Sequence, residues 1–460
     1  MSHIVVVGAG MAGLAAGWEI RRHQPDATLT VHEAADRPGG KIHTSSVAGI
    51  AVDEAADAFL ARVPAAVNLC RELGLETELV APARGNAQIW LDGRLQPLPH
   101  PQILGVPLDP DALAASGIVS DAAVAALRSD LGRDVDPVRA TDTLGSLIRR
   151  RLGDEIFERL VAPLIGSIAA GDVDRLGLEA VPQIASAARA HASLVRGLEL
   201  GRAKAGASPD DPVFYAPRRG MGSLVDTIAD RLGSRLRLRS RVGSITPEGD
   251  RIAVETAEGT EYADAVVLAT EAAPAADLVE PWAAAAAAEL RAIETTSVAF
   301  ITLVYEPREV PISLDGSGFL VPAGSPHTIT ACSWTSSKWD HIGGGHVVLR
   351  ASVGRAGDDE IASADDARLI RVARNDLAII MRIAAEPDDV RVSRWPNSFP
   401  QYAPGHAERV IRIEEALSRE RVFTAGASYR GIGVPACIDQ GRTAARMAVT
   451  AANAPGRTGR

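Results

Sequence analysis

The chain has little of several features that define other classes of protein. Its 460 residues include only three cysteines, which are far apart and lack the spacing of metal ligands, so we expect neither a disulfide framework nor a cysteine metal site. No uninterrupted run of about 18 apolar residues occurs, so no transmembrane helix is expected. The formal net charge is -10, which disfavours nucleic-acid binding. We therefore expect a cytoplasmic protein, with the arginine clusters at 149–151 and 235–241 forming solvated faces.

What the chain does have is a glycine-rich turn near its N-terminus, between a β-branched run and an apolar helical pattern. Gly8 permits a tight turn, Gly10 lets the backbone approach a pyrophosphate, and Gly13 lets the helix pack closely on its strand. Glu33 ends a second strand about twenty residues later, where it can accept hydrogen bonds from ribose hydroxyls. This order predicts a dinucleotide-binding βαβ unit, and the acid argues against a 2′-phosphate.

Two further segments predict that the cofactor is long. The turn at 37–41 follows Glu33 closely and is predicted to make a second cofactor contact. Near the other end of the chain, the apolar strand 421–428 and the glycine turn 431–435 precede a helix over 436–450. The sequence therefore offers two helix N-termini, which suit a cofactor lying extended with its pyrophosphate at the first and a flavin ring near the second.

The fold class predicted is α/β, with a Rossmann-type nucleotide-binding domain, an inserted helical domain and a mixed-sheet substrate domain. Helical spacing dominates from about residue 96, strands return near 214, and alternating strands with one long helix follow. Paired strands are predicted at 236–245 and 252–256, and a buried parallel strand at 265–270. The predicted bounds are 1–95, 214–290 and 405–460 for the nucleotide-binding parts, 96–213 for the helical insertion, and 291–404 for the substrate sheet.

Several longer motifs resemble the flavin-dependent porphyrinogen oxidases of haem biosynthesis, within the amine-oxidase superfamily. The most specific are Ser336-Ser337-Lys338-Trp339 and Pro400-Gln401-Tyr402 with Gly405-His406. Others are Asp57 to Arg62, Ala170-Gly171-Asp172, Gly220 to Leu224, Gly318 to Pro322, Arg394-Trp395, and Gly426 to Tyr429 through Cys437-Ile438. The resemblance spans nearly the whole chain.

The resemblance implies a role for particular residues. Those matching FAD-binding positions are Gly8, Ala9, Gly10, Met11, Ala12, Gly13, Leu14, Glu33, Ala34, Gly40, Lys41, Ala55, Ala56, Asp57, Ala58, Val242, Trp395, Gly426, Ile432, Gly433 and Val434. Ser167 and Ile168 match the segment facing the porphyrinogen, and Arg62 and Lys338 are candidates for its propionates. Ala55-Ala56 replaces a usual Gly-Pro, and Val63 replaces a common lysine, which puts a carboxylate-binding role at 63 in doubt. No metal is implied.

The reaction implied is oxidation of coproporphyrinogen III to coproporphyrin III, by FAD and then O2, in three two-electron steps that give H2O2. No side chain is assigned as a general base, and structural hydrogen bonds are the favoured roles for Tyr402 and His406. Protoporphyrinogen IX is the alternative substrate, and a transient contact with a downstream chelatase is left open. Amine or carotenoid oxidation, or a flavin-free binding protein, are the more distant readings; with 4% aromatic residues, no amine cage is evident.

Overall fold

A five-stranded parallel sheet organises the nucleotide-binding part of the fold. The computed structural model describes residues 2–139, 141–204 and 211–454. The strand order across the sheet is Leu236–Arg237, Thr28–His32, His3–Val7, Ala265–Leu268 and Val422–Thr424. The central strands are unbroken apolar runs because layers cover both faces of the sheet. The Rossmann-type prediction is confirmed.

The two faces of this sheet carry different layers. One face packs on Met11–His23, Pro64–Leu73, Gly222–Leu232 and Val434–Ala452. The other face packs on the helices Ala272–Val279, Ala284–Arg291 and His406–Ser418, and on an antiparallel sheet of Val242–Glu248, Arg251–Thr256 and Gly259–Ala263. The single strand predicted over 236–245 is wrong: a turn containing Arg239 at φ 53° divides it, and its halves join different sheets.

Between the first two predicted nucleotide-binding parts, the chain is mainly helical, as the spacing predicts. The core of this region is made of leucine, isoleucine, valine and alanine side chains. Its α-helices are Pro110–Ser116, Asp121–Leu131, Leu144–Leu152, Asp154–Ile156, Ala162–Ala169, Pro182–Ala190 and Leu194–Lys204, with a π-helical turn at Phe157–Val161 and a 3-10 turn at Leu178–Ala180. A short hairpin, Gln102–Ile103 with Val106–Pro107, precedes them.

The third unit is a seven-stranded mixed sheet covered by the helix Asp366–Ile380. Its order is Asp389–Pro400, Thr295–Tyr305, Val347–Val353, Ala331–Trp334, Gly318–Leu320, Ala87–Leu91 and Arg94–Pro97. The last two strands come from the region around residue 95, so the sheet joins distant parts of the chain. The five domain bounds given above stay predictions.

Shorter elements connect these units. They are the hairpin Thr44–Val47 with Ile50–Asp53, the small sheet of Phe59–Leu60, Phe214–Pro217 and Leu79–Val80, the helices Thr335–Lys338 and Asp359–Ala362, and the 3-10 turns Glu76–Glu78, Gly233–Arg235 and Pro307–Glu309. The hairpin and the Thr335–Lys338 helix lie where the nucleotide-binding unit meets the mixed sheet.

One arginine cluster contradicts its prediction. Arg151 is buried and donates to Asp136, while Arg150 pairs with Asp136 and Asp142, so 149–151 is not a solvated face. A run of arginines has the same sequence signature whether solvent or carboxylates surround it. The arginines of 235–241 are exposed, as expected. Among the described helices, none has both the length and the apolar character needed to span a bilayer.

Candidate functional site

The first helix begins after a glycine-rich turn, and each glycine in it is explained by a different feature of the geometry. Gly8 has φ 99°, and its N–H donates to the carbonyl of His32 at 2.8 Å. A Cβ on Gly13 would lie 1.8 Å from the carbonyl oxygen of Gly8, so no side chain fits where this helix crosses its strand. A Cβ on Gly10 would meet no atom of the described residues within 4 Å, although the backbone there, at φ -68°, would accept any residue. Gly10 therefore borders open space at a helix N-terminus, the geometry of an anion cradle.

Glu33 and the turn at 37–41 close around this cradle. The Glu33 carboxylate accepts hydrogen bonds from the N–H groups of Ala9 and Ala35, both at 2.8 Å. The Gly39 N–H donates to the carbonyl of Ala9 at 2.7 Å, and Gly40 lies directly against Gly10. The turn at 37–41, which is predicted to make a second cofactor contact, therefore lies beside the glycine turn that begins the first helix.

Three other predicted cofactor residues differ in their exposure and contacts. Lys41 is half-buried and pairs with Glu271 at 2.6 Å. Ala34 is exposed, while Val242 is buried at the start of its strand.

The second helix N-terminus lies at the same edge of the sheet. The helix Val434–Ala452 follows the parallel strand Val422–Thr424, so it begins at the carboxyl ends of the strands, as the first helix does. Its N-cap, Gly433, provides no side-chain cap, which leaves N–H groups for another partner. A Cβ on Gly441 would lie 2.1 Å from the carbonyl oxygen of Ala12, so the two helices touch backbone to backbone.

Two buried hydroxyls at this edge lack a protein partner. The Oγ1 atoms of Thr270 and Thr424 are inaccessible to solvent and make no hydrogen bond within the described residues. Both threonines stand at or just after the carboxyl ends of neighbouring strands, and Thr270 is next to Gly8. A buried hydroxyl without a partner is costly, so these atoms indicate that a polar ligand completes the site. The open space at Gly10, Glu33 and these hydroxyls all fit a dinucleotide cofactor.

The loop carrying Ala55, Ala56, Asp57 and Ala58 is held by charges from the mixed sheet. Lys338 Nζ lies 2.8 Å from Asp57 Oδ2, and an Arg350 nitrogen lies 3.6 Å from the same oxygen. Arg350 also donates to the carbonyls of Asp53 and Ala55, at 2.7 and 2.8 Å. Burial alone would raise the pKa of Asp57, but the charges of Lys338 and Arg350 outweigh it and hold that pKa well below its usual value.

The same loop has further contacts on either side. Trp395 Nε1 donates to the carbonyl of Glu54 at 3.0 Å, and the Ser393 hydroxyl donates to the Glu54 carboxylate at 2.9 Å. Asp53 accepts from the Met221 N–H at 2.9 Å and from the Thr44 hydroxyl. Burial, reinforced by the nearby charge of Asp57, raises the pKa of Asp53 to about 6. Predicted cofactor residues from two distant parts of the chain, Trp395 and the loop of Ala55 to Ala58, therefore meet here.

The predicted substrate residues are distributed differently. Ser167 and Ile168 are exposed near the end of the helix Ala162–Ala169, and Ile168 keeps 50% of its surface accessible. The Ser167 hydroxyl donates to the carbonyl of Leu164 at 2.7 Å. Arg62 is exposed, and its guanidinium faces the side-chain amide of Gln183. Lys338 is paired with Asp57, so the structure places it against a predicted cofactor residue.

Comparison with known proteins identifies the family. The family model described as flavin containing amine oxidoreductase matches residues 11–449. The chain belongs to the flavin-containing amine oxidoreductases. This family is described as flavin-containing, which agrees with the open glycine cradle described above.

Similar members cover almost the whole chain. It is 33% identical to a coproporphyrinogen III oxidase of Bacillus subtilis, over 97% of this chain and 98% of the other. It is 34% identical to a coproporphyrinogen III oxidase of Mycobacterium tuberculosis strain H37Rv, over 98% of each. A crystal structure from Exiguobacterium sp. 255-15, provisionally named a protoporphyrinogen oxidase, superposes with a TM-score of 0.86 at 31% identity, over 97% and 98% of the two chains.

Within this amine oxidoreductase fold, several site residues escaped the sequence analysis. Thr270 and Thr424 belong to strands that the sequence analysis predicted. The hydroxyl residue at the end of each apolar strand was the signal that could have identified them as site residues. Arg350 gave no local signal, because its partners Asp53 and Ala55 are almost 300 residues away. The assignment of individual residues to the flavin and the substrate stays a prediction.

Proposed function

We propose that the chain oxidises coproporphyrinogen III to coproporphyrin III with FAD bound and O2 as the final electron acceptor. Its similarity to proteins named coproporphyrinogen III oxidase over nearly the full length carries this proposal. Each of three steps removes one hydride and one proton, so that in total four hydrogens leave the bridge carbons and two leave the pyrrole nitrogens. In balance, one porphyrinogen and three O2 give one porphyrin and three H2O2.

FAD supplies the hydride acceptor when bound, and the chain supplies position and exclusion of water. Gly10 and the first helix N-terminus hold the pyrophosphate, and Glu33 accepts from the ribose hydroxyls. The Gly433 end and the loop of Ala55 to Ala58 hold the flavin, with Thr270 and Thr424 as further hydroxyl partners. Asp57, fixed by Lys338 and Arg350, keeps that loop in place.

On the substrate side, Ile168 offers an apolar contact for a pyrrole ring, and Arg62 offers an exposed guanidinium for a propionate. Lys338 is the weaker propionate candidate because its charge is already compensated by Asp57 at 2.8 Å. No side chain is assigned the role of general base. The porphyrinogen, O2 and a transiently bound chelatase complete the proposed partners, and a cytoplasmic location is part of the same proposal.

The test is an assay of the purified flavoprotein with each porphyrinogen, mixed anaerobically and then exposed to air, with porphyrin fluorescence and H2O2 both measured. We expect faster turnover of coproporphyrinogen III and about one H2O2 per two electrons removed. Equal or reversed preference would overturn the choice of coproporphyrinogen III. A colourless preparation that binds no added FAD would remove the whole proposal.

A further inference from the structure

Two adjacent residues, Gln401 and Tyr402, contact one segment on the substrate side and one on the flavin side of the proposed site. They follow the strand Asp389–Pro400, which carries Trp395 and Ser393 against the flavin-side loop. We propose that Gln401 and Tyr402, here called the 401–402 junction, are positioning residues with separate tasks: Gln401 fixes the substrate-facing helix, and Tyr402 fixes the flavin-facing turn. This inference deepens the proposed function and rests on it.

The Tyr402 side chain is enclosed in the C-terminal part. Its hydroxyl donates to the carbonyl of Ala427 at 2.5 Å and accepts from the N–H of Gly431 at 2.8 Å. Gly431 has φ 121° and lies three residues before the helix that begins at Val434. Burial raises the pKa of Tyr402 well above its usual value, so the hydroxyl stays protonated and keeps both bonds. The phenol thus closes the turn that leads to the predicted flavin residues Ile432 to Val434.

His406 supports the phenol from one side. The two rings stack with centroids 4.0 Å apart and planes 12° from parallel, and His406 Nε2 lies 2.8 Å from the carbonyl oxygen of Tyr429. Burial lowers the pKa of His406, which favours the neutral ring. These contacts give His406 a packing role behind Tyr402.

Gln401 reaches into the helical region instead. Its Nε2 lies 3.1 Å from the carbonyl oxygen of Ala169, the last residue of the helix that carries Ser167 and Ile168. The same nitrogen is 3.1 Å from the Thr296 hydroxyl in the mixed sheet. A Cβ on Gly171 would lie 1.8 Å from Gln401 Oε1, so the amide fills the space that a side chain at 171 would need.

The consequence is that one short segment sets the separation between two surfaces. A substrate lying on Ile168 and a flavin at Gly433 must meet at hydride-transfer distance, and an error of about 1 Å can cost about 100-fold in rate. Because the two side chains contact different parts of the site, we expect substitutions of Gln401 and Tyr402 to impair different properties of the enzyme. Loss of the Tyr402 hydroxyl acts on the flavin turn, and loss of the Gln401 amide acts on the substrate helix.

The flavin-side experiment compares Tyr402→Phe with Tyr429→Phe in the flavin-loaded protein. Tyr429 is a matched control, because its buried hydroxyl makes no hydrogen bond within the described residues and its ring belongs to the hydrophobic core that includes Val410, Ile413 and Leu417 rather than to the strand ends at Thr270 and Thr424. We expect Tyr402→Phe to speed amide exchange in residues 427–434, to shift the flavin absorption bands and to lower kcat by about ten-fold with KM within about two-fold. Tyr429→Phe should do none of these. Identical behaviour of the two variants would overturn the Tyr402 assignment.

The substrate-side experiment uses two variants. Gln401→Ala removes the side-chain amide, and Gly171→Ala leaves Gln401 in the sequence but pushes its amide out of position. Gly166→Ala is the control, since a Cβ there would make an ordinary 3.5 Å contact. We expect both test variants to speed exchange in residues 165–171 and to raise KM by about ten-fold with flavin bands unchanged. Altered flavin bands, or exchange in 165–171 equal to the wild type, would overturn the Gln401 assignment.

Different results would contradict the proposed function and the assignment of the 401–402 junction. If the wild type oxidises neither porphyrinogen, the proposed function is lost. If the wild type is active but the exchange and spectral changes do not separate as described, only the assignment of the 401–402 junction is lost.

Discussion

At the scale of single residues, Gly10 is a glycine that the proposed ligand requires, whereas Gly13 is one that the fold requires. The backbone conformation at Gly10 suits any amino acid, and in the part of the chain that the structure describes no atom lies within 4 Å of a Cβ placed there. We expect Gly10→Ala to leave the stability of the flavin-free protein within about 0.5 kcal/mol of the wild type, because surface changes of this kind are nearly neutral. The added methyl group would instead occupy the space proposed for the pyrophosphate, so flavin affinity should fall at least about ten-fold.

The measurement is flavin titration followed by fluorescence, with chemical denaturation of the flavin-free protein alongside. Gly85→Ala is the control, because Gly85 also has open space around it but is far along the chain from the cradle. Unchanged flavin affinity in Gly10→Ala would contradict the placement of the pyrophosphate.

Asp53 provides a test by pH. Its pKa is raised to about 6 from 3.8, so between these values the folded state holds a proton that the unfolded state has released. Stability is then lost as pH rises through this window, by up to about 3 kcal/mol for one fully buried group, since each pKa unit corresponds to about 1.36 kcal/mol. Asp53→Asn keeps an oxygen that can accept from Met221 and Thr44 but does not ionise.

We therefore expect Asp53→Asn to gain stability over the wild type as pH increases from about 4 to 7, measured by denaturation at several pH values. The exposed Asp315→Asn is the control and should follow the wild type at every pH. A stability difference between Asp53→Asn and wild type that does not change with pH would show that Asp53 is not protonated in the folded state.

At the scale of elements, the contact between the first and last helices joins the two ends of the predicted flavin site. A Cβ on Gly441 would lie 2.1 Å from the Ala12 carbonyl oxygen, so Gly441→Ala must push these helices apart. We expect a loss of about 1–3 kcal/mol in stability from this overpacking, and weaker flavin binding. Met447→Ala, on an exposed position of the same helix, should change stability by less than about 0.5 kcal/mol.

Denaturation and flavin titration of the two variants measure both effects. The prediction fails if Gly441→Ala is as stable as Met447→Ala, because the backbone contact would then have no energetic consequence.

Elements also show what local sequence can predict. The strand, turn and helix of residues 4–23 are encoded within a short stretch, so their conformation and order were predicted correctly. The contacts of the loop at 53–58 could not be predicted from its own residues, because its partners Lys338, Arg350 and Trp395 are brought near by the sheet. Charge runs were equally ambiguous: Arg151 is buried on Asp136, whereas the 235–241 arginines are exposed. Pairing across hundreds of residues decides these environments, and one sequence does not contain that information.

At the scale of the whole molecule, flavin binding should couple segments from opposite ends of the chain. Residues 8–14 and 431–437 start two helices at one edge of the parallel sheet, and the predicted flavin spans both. Binding at about 100 times the dissociation constant stabilises the folded state by about 2.7 kcal/mol if the unfolded chain does not bind. Protection against amide exchange should therefore rise in both segments together.

Exchange measured with and without added FAD tests this coupling, with Asp121–Leu131 in the helical region as the internal reference. That helix packs in a separate core, so its exchange should change less than that of either glycine turn. Protection confined to residues 8–14 would mean that the bound nucleotide does not reach the second helix, and the flavin ring would then lie elsewhere. Because the two helices touch at Gly441 and Ala12, a ligand bound at both N-termini must also slow exchange where the helices meet. Joint protection of residues 8–14 and of the segment from Gly431 to Gly441 is therefore the signature expected of one extended cofactor.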